Sequence, residues 1–363
     1  MSTPEPNPDL LKLFSFNLFS QLSGAVTAGM IHIGDKLGLY KLLANANVAM
    51  TSAALADAAG LHERWIREWL GNQAAARIVS VDHSNVNQPT FSLQPEARAV
   101  LADENHPAFG MGMFHRLPAT MERLTELPSC FATGVGFNYD AHGHEGAVGI
   151  ERSFEPWSNA NLIPVVLPSL DGVFDRLRNG LTVADIGCGA GSAVCTMAAA
   201  FPSSEFVGYD ISQHALAIAR TKAKDKGLTN VRFIDPREEA LPVDGRFGLI
   251  TTFDCIHDMT HPSEMVKSIR KALADDGTWL LVDIKALDTL EQNIAKNPMA
   301  ALMYGISILS CMASAMSEPN GEGLGTLGLP PSRAEALARD AGFSRFATLD
   351  IPHSVNAFYE VRP

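Results

Sequence analysis

The chain has 363 residues, 46% hydrophobic and 19% charged, with a formal net charge of −12 at pH 7. That length leaves room for two domains with sizeable cores. The acidic balance argues against a nucleic-acid partner, whose phosphates require lysine and arginine. The five cysteines, at positions 130, 188, 195, 255 and 311, show neither paired nor metal-type spacing. Reduced thiols in a cytoplasmic protein, with no metal centre, are therefore expected. The opening residues are acidic and proline-rich, unlike a secretory signal.

Residues 9–46 read as helices, because Leu10, Leu11, Phe14, Leu18, Phe19 and Leu22 recur at helical spacing. A capped helix follows over 51–60, Gly60 makes a turn, and a second helix runs over 62–75. Residues 78–82 and 90–93 form a short strand pair, so the whole reads as a winged helix. Trp65, Ile66, Trp69 and Leu70 on the second helix look like packing residues. Between positions 51 and 110, seven acids (Asp57, Glu63, Glu68, Asp82, Glu96, Asp103, Glu104) outnumber four bases (Arg64, Arg67, Arg77, Arg98). This is the wrong sign for a DNA-binding face.

The segment 106–180 connects the two halves. His115 and Cys130 stand out in it, as does the glycine-rich stretch 134–146 with His142 and His144. No third ligand joins the two histidines at metal-binding spacing. A flexible loop with solvated histidines is expected, acting as a lid or substrate loop with Tyr139 as a contact. Trp157 lies in the helix leading to Phe174 and Leu177.

From residue 182 the pattern becomes strand, turn and helix in alternation. Val183 and Ala184 lead through Asp185 into Gly187, Gly189 and Gly191, and a helix begins at once. Lacking Cβ atoms, these glycines can take positive φ and let a ligand lie against the backbone. Further strands are expected at 205–210, 231–235, 247–253, 278–284, 346–350 and 356–361. Helices at 212–226, 263–274 and 332–341 lie among them, the signature of a doubly wound, mostly parallel sheet. Asp210 stands at the tip of the second strand, where such sheets bind ribose hydroxyls. Residues 298–316 carry no charge and are long enough to be weighed as a membrane span. Their Ala, Ser, Gly and Met content points instead to a buried or pocket-lining helix, and no membrane partner is expected.

The glycine spacing differs from the dinucleotide fingerprint. With Asp185 ahead and Asp210 after, it resembles class I S-adenosylmethionine (SAM)-dependent methyltransferases. With the winged helix in front, the chain is similar to small-molecule O-methyltransferases of the hydroxyindole and plant phenolic type, and to a mycobacterial-type bacterial branch. The resemblance implies an α/β fold: a seven-stranded, Rossmann-like methyltransferase sheet behind an N-terminal α-helical winged-helix domain. It divides the chain into a dimerisation module over 1–105, connecting helices and a substrate loop over 106–180, and a SAM-binding domain over 181–363.

On this resemblance SAM is held by Asp185, Gly187, Gly189, Gly191, Asp210, Ile211, Asp235, Pro236, Phe253 and Asp254, with Glu238 as an alternative contact to adenine. His257 and Asp258 match the His-Asp pair that supplies the general base, a role an imidazole suits at neutral pH. The glutamates that orient this base have no clear counterpart; Glu318 and Glu322 are the candidates. His115, Tyr139, Met303 and Tyr304, together with Met312, are candidate substrate contacts. A homodimer and a small-molecule acceptor methylated on oxygen or sulfur are implied. Two other readings stay open: a small-thiol S-methyltransferase that needs no base, and a SAM-sensing, DNA-binding regulator. Methylation of a macromolecule fits less well with the acidic balance.

Overall fold

The computed structural model describes residues 5–363. They form two compact units, one ending at Pro118 and one running from Ala119 to Pro363.

The first unit opens with a 29-residue helix, Pro8–Lys36. Asn7 caps it by accepting from the backbone N–H groups of Asp9 and Leu10, and Pro8 sits where its missing N–H costs nothing. Helices Leu39–Asn45, Ser52–Ala59 and Glu63–Ala75 follow. Thr51 caps the second of these, and Gly60 ends it at φ 65°. Strands β1 (Ser80–Asp82) and β2 (Thr90–Ser92) pair antiparallel as the wing. Leu39, Tyr40, Leu55, Ile66, Leu70 and Met111 form the heart of the core. Tyr40 packs on Trp69 at 5.3 Å between ring centroids and donates to Gln73 Oε1 at 2.5 Å.

Two expectations change here. Trp65 is 78% exposed, so only Ile66, Trp69 and Leu70 of the four candidates pack inward. The long first helix is not a one-sided amphipathic element either. Leu10, Phe14, Phe16 and Phe19 are all more than 60% exposed, and so apolar groups stand on several of its sides. Between Lys12 and Asp35 it holds no acid, lysine or arginine to set a polar face, and the spacing of large side chains does not translate into a buried stripe.

The second unit contains the seven-stranded sheet. Its strands are β3 (Thr182–Ile186), β4 (Glu205–Tyr209), β5 (Val231–Ile234), β6 (Phe247–Phe253), β7 (Leu273–Ile284), β8 (Arg345–Leu349) and β9 (Asn356–Arg362). Their order is β5-β4-β3-β6-β7-β9-β8, and β9 alone runs antiparallel to its neighbours. The order reverses between β3 and β6, and this is the crevice where open α/β sheets bind ligands. β7 starts five residues before the expected position, because Leu273 pairs with Phe247 across an irregularity in register before the regular ladder begins at Thr278.

Period-two alternation builds a core on each face of the sheet. Trp279 and Leu281 of β7 pack with Ile250, Val266, Ile269 and Phe343, whereas Leu280 and Val282 pack with Leu249, Val194, Met197 and Phe358. Trp279 also donates its indole N–H to Thr252 Oγ at 3.0 Å, which satisfies the polar end of a fully buried side chain.

The uncharged stretch forms three joined helical pieces: Ala300–Ile306, a π-helical turn Ser307–Cys311, and Met312–Ala315. Among the described residues, no helix is long and apolar enough to cross a membrane.

Candidate active site

The carboxyl ends of β3, β4, β6 and β7 carry the polar groups that the sequence singled out. Just past β3 the chain turns through Gly187, Gly189 and Gly191 at φ 69°, 54° and 81°. A Cβ on Gly187 would meet Cys255 at 2.5 Å, and one on Gly191 would meet Ala219 at 2.9 Å. At Gly189 a Cβ would meet nothing within 4 Å, so this side of the turn faces open space. The turn is fastened to β4, since Gly187 and Cys188 donate to the carbonyl of Tyr209 at 2.8 and 3.0 Å.

Two buried carboxylates flank this turn. Asp210 accepts from the Gly189 N–H at 2.7 Å and from the Ser212 N–H at 2.8 Å. Burial raises its pKa, against those two hydrogen bonds. Asp185 accepts from the Thr251 hydroxyl at 2.7 Å through Oδ1, while its buried Oδ2 has no partner among the described residues. Burial pushes its pKa up to about 7. An orphaned carboxylate oxygen beside an open glycine turn calls for a cationic or N–H-bearing ligand. An amino acid with a sulfonium centre, joined to a ribose that Asp210 can bind, meets that need.

The other cofactor candidates fall out differently. Ile211 follows Asp210 and is 38% exposed, an apolar surface at the β4 tip. Asp235 sits at the β5 tip, but both its oxygens are engaged by Arg237 and by Gln213 at 2.6 Å. These Arg237 hydrogen bonds lower its pKa. Asp235 is thus a structural anchor for Arg237, which also donates to the Ile211 carbonyl at 2.7 Å. Pro236 lies between the two. Phe253 ends β6 half-buried. Asp254 adopts φ 48°, a conformation that costs a non-glycine residue energy. Its carboxyl takes a hydrogen bond from Asn356, and burial with the nearby Asp283 raises its pKa to about 7. Asp254 thereby belongs with the His257–Asp283 cluster described next.

His257 lies in the short helical turn Ile256–Asp258 and is 2% exposed. Its Nδ1 is 2.6 Å from Asp283 Oδ1, on the last residues of β7. The expected partners differ from this: Asp258 follows in the same turn, Glu322 bonds to Ser263, and Glu318 lies 3.6 Å from His261. Burial pulls the His257 pKa down, but the charge of Asp283 and the neighbouring Cys311 outweigh it and hold the value well above 6.5. The imidazole is thus a strong proton holder, and Asp283 fixes its orientation.

The glycine-rich stretch is not a free loop. Gly136 donates to the Met316 carbonyl at 2.8 Å, and residues 139–142 form a 3-10 turn leading into the helix Gly143–Asn161. His142 is buried, with its Nε2 3.1 Å from Ser310 Oγ and its ring edge-on to Phe137 and Tyr139. Only His144 is solvated. Asp140 accepts from the Ser212 hydroxyl at 2.5 Å, which ties the Tyr139 turn to the β4 tip. Met303 is half-buried and Tyr304 exposed on the helix Ala300–Ile306, whereas Met312 is half-buried further along. His115 lies half-buried on the helix Gly112–Glu122. No cluster of three or more potential metal ligands occurs among the described residues.

A family model described as a methyltransferase domain matches residues 177–322. The chain carries a SAM-dependent methyltransferase domain. A second model, an Rv2258c-like winged helix-turn-helix domain, matches residues 25–103. The chain is 33% identical over 102 residues to an uncharacterized methyltransferase of Bacillus subtilis, a match covering 28% of this chain and 40% of that protein. A ubiquinone biosynthesis O-methyltransferase of Leptothrix cholodnii is 26% identical over 170 residues, 46% of this chain and 67% of the relative. The chain thus spans about two-fifths to two-thirds of the length of these two relatives. In fold, the human N-acetylserotonin methyltransferase in complex with SAM matches with a TM-score of 0.65 at 15% identity, over 100% of this chain and 99% of that one. The mitomycin 7-O-methyltransferase matches with a TM-score of 0.69 at 18% identity, over 98% and 99%.

Within this methyltransferase domain, sequence reasoning missed Asp283 and Cys311. An acid closing the apolar run Leu280, Leu281 and Val282 was the available signal, because a buried carboxylate needs a partner. Nothing local marked Cys311. For the cofactor end, replacing Asp210 with alanine removes two charge-assisted acceptors and frees the Gly189 N–H. SAM affinity is expected to fall about 100-fold by calorimetry in a variant with unchanged circular dichroism. Affinity within about threefold of the native chain would remove Asp210 from the cofactor contacts.

Proposed function

We propose that the protein moves a methyl group from SAM to an oxygen or sulfur atom of a small molecule, with His257 as the general base. The observation that carries this reading is the buried His257–Asp283 dyad, at the same end of the sheet as the open glycine turn. SAM supplies an already activated methyl group. Asp185, Asp210 and the glycine turn bind and orient that cofactor, through Asp185 at the amino acid and sulfonium end and through Asp210 at the ribose. Ile211 offers an apolar face for adenine. His257 then takes the acceptor's proton, and Asp283 stabilises the imidazolium that results. The buried dyad favours an acceptor whose proton must be removed, such as a phenol or other hydroxyl; a small thiol acceptor would be less dependent on it. Tyr139, held beside the β4 tip, and the helical stretch 300–315, next to His257, are the proposed acceptor walls.

The regulator reading has less support. On the second helix of the winged helix, Arg64 pairs with Glu68 at 2.5 Å and Arg67 with Glu63 at 3.3 Å, so its basic groups are already neutralised by acids. The exposed Phe and Leu side chains of the helix Pro8–Lys36 instead support an assembly role for the N-terminal module, proposed over residues 1–105. Large exposed apolar side chains concentrated on one helix favour an interface, and a homodimer is the occupant we propose. Light scattering should give twice the chain mass of 39.0 kDa. A monomer at micromolar concentration would refute the dimer.

The base assignment is tested by turnover of labelled SAM with a panel of phenols, acids and small thiols. His257→Ala should leave SAM binding intact and slow methyl transfer by about 10²–10⁴-fold. Because the His257 pKa is raised, its base form is scarce until the pH exceeds that raised value, so the rate should climb with pH well beyond 6.5. Asp283→Asn removes the charge that raises it and should shift this limb to lower pH, with a reduced plateau. An unchanged rate in His257→Ala would exclude the base role. Label transferred only to thiols, without dependence on His257, would favour the base-free S-methyltransferase.

A further inference from the structure

The turn Tyr139–His142 comes from outside the sheet, yet it is built into the rim of the crevice. Asn138 starts it by accepting from the Asp140 N–H at 2.9 Å. On one flank Gly136 and Phe137 donate to the carbonyls of Met316 and Ala313 at 2.8 and 3.2 Å, and His142 Nε2 lies 3.1 Å from Ser310 Oγ. On the other flank Asp140 Oδ1 accepts from the Ser212 hydroxyl at 2.5 Å. Ser212 is buried, and its backbone N–H donates to Asp210 at 2.8 Å. The Asp140 carboxylate is thus seated beside the β4 tip and held from both sides, which is the support a binding group needs.

Only one of its oxygens is engaged. Asp140 Oδ2 has no hydrogen-bond partner among the described residues, and the residue is half-buried. Its charge reaches the ribose candidate: burial, and after it the charges of Asp140 and Asp235, raise the Asp210 pKa. The acid at the β5 tip is differently placed. Asp235 gives both oxygens to Arg237 and one of them also to Gln213, and Arg237 donates onward to the Ile211 carbonyl. A purine laid on Ile211 carries an exocyclic amine with N–H groups to donate, and Asp235 is already committed to other donors.

We propose that Asp140 selects the base of the cofactor, its Oδ2 accepting a hydrogen bond from the adenine amine of SAM. This rests on the reading that the crevice holds SAM. It makes the turn Tyr139–His142 part of the cofactor site, and it predicts a preference for an amine over a carbonyl on the purine. The amine donates to the carboxylate, whereas a carbonyl oxygen in its place has no proton to give and is repelled.

The test is calorimetry on the full chain with SAM and with S-inosylmethionine, the analogue in which a carbonyl replaces the adenine amine. The native chain should bind SAM at least about thirtyfold more tightly than the analogue. Asp140→Ala should weaken SAM by about tenfold or more and reduce the preference to about threefold or less, because the analogue loses no hydrogen bond. Asp140→Asn, closest in shape, should also lower the preference, and it decides the matter if the alanine variant does not fold. Equal weakening of both compounds would make Asp140 a structural residue and overturn the proposal. A preference that survives in the Asp140 variants and vanishes in Asp235→Asn or Glu238→Ala would overturn it too. A native chain that binds neither compound would overturn the cofactor reading itself, a result distinct from a native chain that binds SAM and is indifferent to Asp140.

Discussion

Two buried carboxylates at adjacent strand tips, with a glycine turn between them, set the terms for the catalytic half of this protein. Burying a carboxylate is costly unless hydrogen bonds or an opposite charge compensate. Asp210 is compensated by two backbone N–H groups, one of them from the glycine turn, so the turn and the β4 tip hold each other in place. Asp185 is only half compensated, through Thr251 of the neighbouring strand β6. Its remaining oxygen gives the site a standing preference for a cationic ligand. The three-strand arrangement of β4, β3 and β6 brings these groups together, and it does so at the point where the strand order reverses.

The same logic recurs one strand further along. β6 and β7 run parallel with Phe253 opposite Val282, which puts Asp254 and Asp283 at neighbouring positions beyond the register. His257 is held there by Asp283 at 2.6 Å, and Asp283 with the neighbouring Cys311 keeps it protonated to higher pH than a free histidine. The strained backbone at Asp254 belongs to this cluster. The glycine-turn pair and the His257 cluster therefore share one construction: acids at the carboxyl ends of buried parallel strands, each meeting a partner from another element.

Much of this was legible in the sequence because the relevant signals are local. Asp185 and the three glycines lie within seven residues, and the apolar strand runs have a period that topology cannot disguise. Asp235 was legible in position, but the capture of its carboxylate by Arg237 two residues later was not. The partner of His257 was not legible. Asp283 lies 26 residues away, and only the parallel register of β6 and β7 brings it near. His142 is a sharper case, with Ser310 168 residues distant; the glycines around it suggested mobility, whereas packing from the other end of the domain buries it. Trp65 and Trp69 share residue type and helix and, four residues apart, nearly the same side of it; Trp69 is nonetheless packed, its indole N–H donating to the Met30 carbonyl at 2.9 Å, while Trp65 is exposed.

The central claim is that the crevice at the tips of β3 and β4 holds SAM. Calorimetric titration of the native chain with SAM, with adenosine as a control, measures this most directly. The account predicts saturable binding at one site per chain, with SAM bound more tightly than adenosine because Asp185 meets the charged end of the molecule. No binding heat with SAM, or equal affinity for the two ligands, would contradict it.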